Sequence, residues 1–115
     1  MNVTRIADAK SYDAKGHFGM TALRLQGLEA TPIQALSVGL SHFLPGGGAE
    51  MSSSDVERVY FVLIGEVVVI TDGGEFTLKA MDSCGIAAGE RRAVVNRSNL
   101  PASMLVVVPK KESKP

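Results

Sequence analysis

Apolar and polar residues alternate along this chain in short runs, and no stretch sustains the 3.6-residue period of an amphipathic helix. The strongest run is Val59–Ile64, Val-Tyr-Phe-Val-Leu-Ile, whose β-branched and aromatic side chains suit a pleated, half-buried surface. Gly65 interrupts it, Glu66–Ile70 resumes, and Asp72-Gly73 reads as a hairpin turn returning through Glu75–Leu78. Upstream, the pattern predicts a short strand over Ala22–Leu25 and a longer one from about Ile33 to Leu44. In the longer strand Val38, Leu40, His42 and Leu44 share one face, while Gly39, Ser41 and Phe43 share the other. Pro45-Gly46-Gly47-Gly48 is expected to end that strand, because proline cannot donate to a ladder. Three more strands are predicted at Ser83–Ala87, Ala93–Asn96 and Ala102–Val108, the last two joined by a loop over 96–101.

At the ends the pattern weakens. Residues 1–20 read as an arm with a loop over 13–19, where Gly16 and Gly19 bracket His17 and Phe18. Residues 110–115 read as a tail without an apolar anchor. The alternation therefore predicts an all-β, antiparallel domain over residues 1–109. It leaves open an immunoglobulin-like sandwich, a jelly roll and a closed barrel.

Composition narrows the function classes. The chain has 115 residues with 45% hydrophobic positions, enough for one packed core. Twelve basic residues balance twelve acidic ones, which leaves no electrostatic footprint for nucleic acid or an anionic membrane. Cys84 is the sole cysteine, so an internal disulfide is excluded. The opening residues lack the apolar run of a signal peptide, and no run has the length of a membrane helix. The expectation is a soluble, cytoplasmic protein. Gly46-Gly47-Gly48 lacks the Gly-Lys-Ser/Thr of a phosphate loop and reads as a turn.

Two blocks carry more information than the alternation does. The first runs from Pro45 to Glu66, and the second, from Asp82 to Asn96, contains Asp82, Gly89 and Asn96 at characteristic spacing. Together they resemble the paired motifs of the cupin superfamily, small jelly-roll barrels whose lumen usually holds a metal. The resemblance implies that barrel fold. Its metal-ligand positions, however, fall on other residues here. The His of the second motif falls on Arg92, and the Glu of the first falls on Arg58. The His-x-His pair falls on Ser52 and Ser54, or on Met51 and Ser53. Arginine stays protonated and offers only donors, so it cannot replace imidazole or carboxylate on a metal. Met81 stands where the second motif has its first Gly, and Ala87 where it has Pro. The expectation is a cupin that uses neither metal nor other cofactor.

Strand alternation puts Arg58 with Tyr60 and Val62, opposite Val59, Phe61 and Leu63. The barrel reading turns Arg58, Tyr60 and Arg92 into the lumen as a ligand-binding set for a carboxylate, enolate or phosphate on a small anionic molecule. The alternative is that each arginine reaches an internal partner such as Glu50, Glu57 or Glu90. His17, His42 and Glu57 are the candidate catalytic acids and bases, Glu57 only if its side chain points inward. Against this, His42 reads first as a hydrogen-bonded core or interface histidine, Cys84 as an inert buried thiol, Ser52-Ser53-Ser54 as a polar loop, and Asp82 and Asn96 as turn caps.

The leading expectation is an enzyme doing isomerase, dehydratase, decarboxylase or lyase chemistry by proton transfer. A non-catalytic binding or sensor module is the alternative. A metal site displaced onto His17 and His42 is the third reading. The resemblance also implies a homodimer, with Val59, Phe61 and Leu63 on the outer face.

Overall fold

A computed structural model describes residues 1–110. Apart from one helical turn at Ile6–Asp8 the described chain is all β, and its strands are β1 (Lys10–Tyr12), β2 (His17–Gln26), β3 (Leu36–Ser52), β4 (Arg58–Ile64), β5 (Glu66–Thr71), β6 (Gly74–Lys79), β7 (Ser83–Ile86), β8 (Arg92–Val95) and β9 (Ala102–Pro109). Every pairing is antiparallel. The strand order is β6-β5-β8-β3-β9-β4-β7, with β2 also paired to β3 and β1 to β2. The result is a near-closed antiparallel barrel of the jelly-roll type. Its two sheet ends meet where Val62 of β4 exchanges backbone hydrogen bonds with Met81 and Asp82, in the turn between β6 and β7.

β3 is the strand that makes the barrel. Its first half, Leu36–Phe43, pairs with β9, and its second half pairs with β8 through Gly48↔Val95 and Ala49↔Val94. The glycine run therefore does not end the strand. It bends the strand and transfers it from one partner to the other. A Cβ on Gly47 would collide with the Gly19 carbonyl, and one on Gly48 with the Val94 carbonyl, so the close approach of β2 and β8 requires glycine there. Nor does the arm loop over His17 and Phe18, which begin β2 and pair with Ala49 and Gly48. Local glycine content hid a strand that only its long-range partner stabilises.

The other boundaries follow the sequence pattern closely. Val62 and Tyr60 are buried on the inner face of β4, while Val59 is 44% exposed on the outer face. Phe43, Val62, Val67, Val69 and Met104 form the centre of the core, each at most 2% exposed. Asn96 is fully buried beside them; its Nδ2 donates to the carbonyls of Phe43 and Leu100, and its Oδ1 accepts from the Ser98 backbone N–H and hydroxyl. Asp82 accepts the Lys79 N–H at 2.9 Å, so both residues cap turns. Met81 adopts φ +75°, a left-handed conformation that the Gly of the cupin motif takes freely and a methionine takes with strain. At the C-terminal end Lys110 donates its N–H to the Ala35 carbonyl at 2.9 Å; residues 111–115 of the expected tail lie outside the described residues.

Candidate active site

The inner faces of β3, β4, β8 and β9 enclose a cavity of ≈ 350 Å³, closed on its outer side by the β1–β2 hairpin. That volume suits a small metabolite. Phe43 and Met104 form its floor and Val94, Val106 and Val108 its apolar wall. Its polar lining comes from Ser37, Ser41, Ser52, Arg58, Tyr60 and Arg92, with Asp13, Lys15, His17 and Glu50 around the mouth.

Arg92 and Tyr60 are both buried, at 8% and 5% exposure. Arg92 donates from Nε to the Tyr60 hydroxyl at 3.2 Å, and from Nη1 to the Ser52 carbonyl at 2.9 Å and hydroxyl at 3.2 Å. Arg92 and Ser52 are also cross-strand neighbours in the β3–β8 ladder. Two positions that would hold metal-binding histidines in the cupin motif are thus joined directly by hydrogen bonds. Arg58, at the position of the motif's glutamate, faces the same cavity. Its Nε is buried without a hydrogen-bond partner among the described residues. Burial first, and then the like charge of Arg92, pull the Arg58 guanidinium below its ordinary value; the phenols of Tyr60 and Tyr12 oppose the shift.

Among the described residues no carboxylate forms an ion pair with either arginine. Among the described residues the ion pairs are Arg24–Glu29, Arg91–Asp72 and Arg97–Glu75. Of the three internal partners expected for the arginines, Glu90 accepts the Ala87 N–H, Glu57 lies in an outer groove beside Val59 and Gly85, and Glu50 stays at the mouth. The described residues contain no group of three or more His, Cys, Asp or Glu side chains that could hold a metal ion. Two arginines and a serine in the ligand positions do not fit a metal either.

Of the six residues singled out from sequence, the structure brings Arg58, Tyr60, Arg92 and His17 to one cavity. His17 is exposed at its rim, with Nδ1 2.9 Å from the Lys15 carbonyl. His42 and Glu57 are elsewhere. His42 sits on the outer face of β3, where its Nδ1 lies 2.7 Å from the Ser103 hydroxyl. Strand alternation explains this, since Ser41 and Phe43 on either side of it point inward. The arrangement also separates the two histidines, so they do not form a displaced metal site.

Sequence reasoning missed Tyr12, Asp13, Arg24, Ser37 and Ser41. The serines were visible as the small, polar face of β3, and that face had to be the inner one to leave room for two arginines. Tyr12 and Arg24 carried no local signal. Arg24 stacks over the Tyr12 ring at 3.8 Å and pairs with Glu29 at 3.1 Å, which fixes β1 across the cavity.

Comparison with known proteins agrees with this architecture. A family model described as Cupin domain matches residues 39–108. A β-D-galactosidase from Mycobacterium tuberculosis is 44% identical over 108 residues, covering 94% of this chain and 93% of that protein. The polyketide cyclase RemF from Streptomyces resistomycificus superposes with a TM-score of 0.86 at 18% identity, covering 99% of this chain and 82% of that one. A predicted oxalate decarboxylase from Thermotoga maritima gives 0.81 at 24% identity, covering 96% and 100%. The two structures share the fold with this chain; their identities are too low to carry an activity across.

Proposed function

This chain belongs to the cupin family, and from that premise we propose that it is an enzyme acting on a small anionic molecule by proton transfer in the barrel lumen. The observation that carries the reading is the pair Arg58 and Arg92, facing one cavity with no carboxylate in ion-pair reach among the described residues. Like charges withdrawn from water, one buried and one half-buried, are unfavourable unless an anion joins them, so the site suits a ligand that supplies the negative charge. Tyr60 lies beside both guanidinium groups, and the His17 imidazole stands at the rim as the candidate acid or base. Guanidinium groups that meet a developing oxyanion supply the stabilisation that enolisation, elimination or decarboxylation needs.

The test is binding of a panel of small carboxylic and phosphoric acids, measured by thermal shift. Wild-type protein is expected to gain stability with at least one of them. The double variant Arg58→Gln/Arg92→Gln should lose that gain. An unchanged gain in the double variant would overturn the reading.

One observation favours a second reading, hydrolysis of a β-galactoside. The Mycobacterium tuberculosis relative carries that activity in its name, and Asp13 and Glu50 line the same cavity here. Glycoside hydrolysis calls for two carboxylates flanking the bond that breaks. A nitrophenyl β-D-galactoside turned over by wild type and not by Glu50→Gln would favour this reading over the first.

A further inference from the structure

The lumen is continuous with a second, apolar cavity. Leu28, Ser37 and Val108 line both the lumen and a groove of ≈ 450 Å³, whose wall goes on through Pro32, Ile33 and Leu36. That volume is again the size of a small-molecule site. Leu28, Ile33 and Leu36 are large apolar side chains left exposed around this one concavity. The polar side chains along it are already engaged: Lys110 Nζ donates to Gln34 Oε1 at 3.1 Å, and Thr31 is bonded within its own turn. The surface left for a ligand is apolar.

Leu28 stands at the junction, on a backbone strained to hold it there. Its φ is +49°, a left-handed conformation that asparagine or glycine takes at little cost and leucine does not. The turn around it is fixed. Ala30 donates its N–H to the Gly27 carbonyl at 3.0 Å, and Thr31 Oγ1 accepts the Gly27 N–H and donates to Gln26 Oε1, both at 2.9 Å. Glu29, the next residue, is held by Arg24 of the lumen lining at 3.1 Å. A leucine that is strained and 65% exposed adds nothing to the core of the free protein. Its apolar surface gains only when something covers it.

We propose that this site takes an amphiphilic anion, with the charged head in the lumen and an apolar tail laid over Leu28 into the groove of Ile33 and Leu36. The head rests on the reading of the lumen as an anion site; the tail is carried by the groove. Leu28 is then a specificity-determining residue, which selects ligands with an apolar extension.

Two matched series test this: straight-chain carboxylates and n-alkyl phosphates of four, six and eight carbons, with dissociation constants by calorimetry. In wild type the affinity should rise about two- to fourfold per added methylene in at least one series. Leu28→Asn suits the left-handed turn, so it should fold at least as stably as wild type, and it should flatten the rise. Ile33→Ser, which lies outside the lumen lining, should weaken the eight-carbon ligands more than the four-carbon ones. Arg58→Gln/Arg92→Gln should weaken every length by one common factor and leave the rise intact.

A wild type whose affinity is flat with chain length would overturn the inference, and the anion reading would survive if the short acids still bound through the arginines. A rise unchanged in both Leu28→Asn and Ile33→Ser would also overturn it, by placing the tail elsewhere. A rise that no arginine substitution shifts at any length would overturn the charged head, and with it the broader reading. Should Leu28→Asn change the mass measured by light scattering, the groove would belong to a second copy of the chain and the ligand assignment would fall.

Discussion

The two ends of this barrel are built from the same strands and do opposite things. Along the inner face of β4 the residues run Arg58, Tyr60, Val62; from β8 onward they run Arg92, Val94, Asn96. On β3 the corresponding run is Ser37, Gly39, Ser41, Phe43. Each strand therefore passes from a polar, ligand-facing end to a closed, packed end. At the closed end Val62, Val67 and Ala102 are fully buried, and the polar Asn96 has all its groups bonded. At the open end a guanidinium keeps a donor without a partner among the described residues. Stability and chemistry are separated by two residues along a strand, and the fold tolerates the unsatisfied end because the other end is dry and complete.

The largest expected effect breaks the closed end. Phe43 is 1% exposed and makes both the cavity floor and the centre of the core. Truncating it to alanine should cost about 3–5 kcal/mol, a large part of the roughly 5–15 kcal/mol that holds a domain of this size. Denaturant unfolding is the measurement. A loss under about 1 kcal/mol would mean that the packed end is not what holds the barrel.

The open end should respond with the opposite sign. Arg58→Met replaces a half-buried cation with an apolar side chain of similar length. It should raise stability by about 1 kcal/mol, the value kept modest because solvent at the mouth already screens part of the penalty. The same substitution should abolish acid binding. A protein that became less stable would show that Arg58 supports the fold and is not held in reserve for a ligand.

This contrast also explains what the sequence made legible. Strand periodicity placed Arg58, Tyr60 and Val62 on one face because side chains alternate strictly, and the motif spacing brought Arg92 to the same lumen. Neither signal reached β1 and β2, where Tyr12 owes its position to pairing with β2 and Arg24 to pairing with β3, the two joined by one cation–π contact. Gly46-Gly47-Gly48 misled for a related reason. Glycine usually marks a turn, and here it marks the closest approach of three strands. His42 looked functional through its chemistry alone; its register with Thr21 and Ser103 sends it outside.

The smallest expected effect lies on the boundary between the two ends. Cys84 of β7 pairs in register with Tyr60 and is half-buried against the core. Burial, and then the charge of Glu90, push its thiol above the ordinary value. A raised value means that the folded protein favours the neutral thiol. Its contribution is fully present below the unfolded value, about 8.5, and is lost as pH rises from there through the folded value. Wild type should therefore lose stability relative to Cys84→Ala between neutral pH and about pH 10, while lysine and tyrosine titrations common to both proteins cancel in the difference. Thermal midpoints of the two proteins, measured in parallel across that range, give the answer. A constant difference would place Cys84 in water, with the open end reaching further down β4 than Tyr60. A difference that falls with pH would place the dry boundary at the Tyr60–Cys84 pair, directly beneath the two arginines.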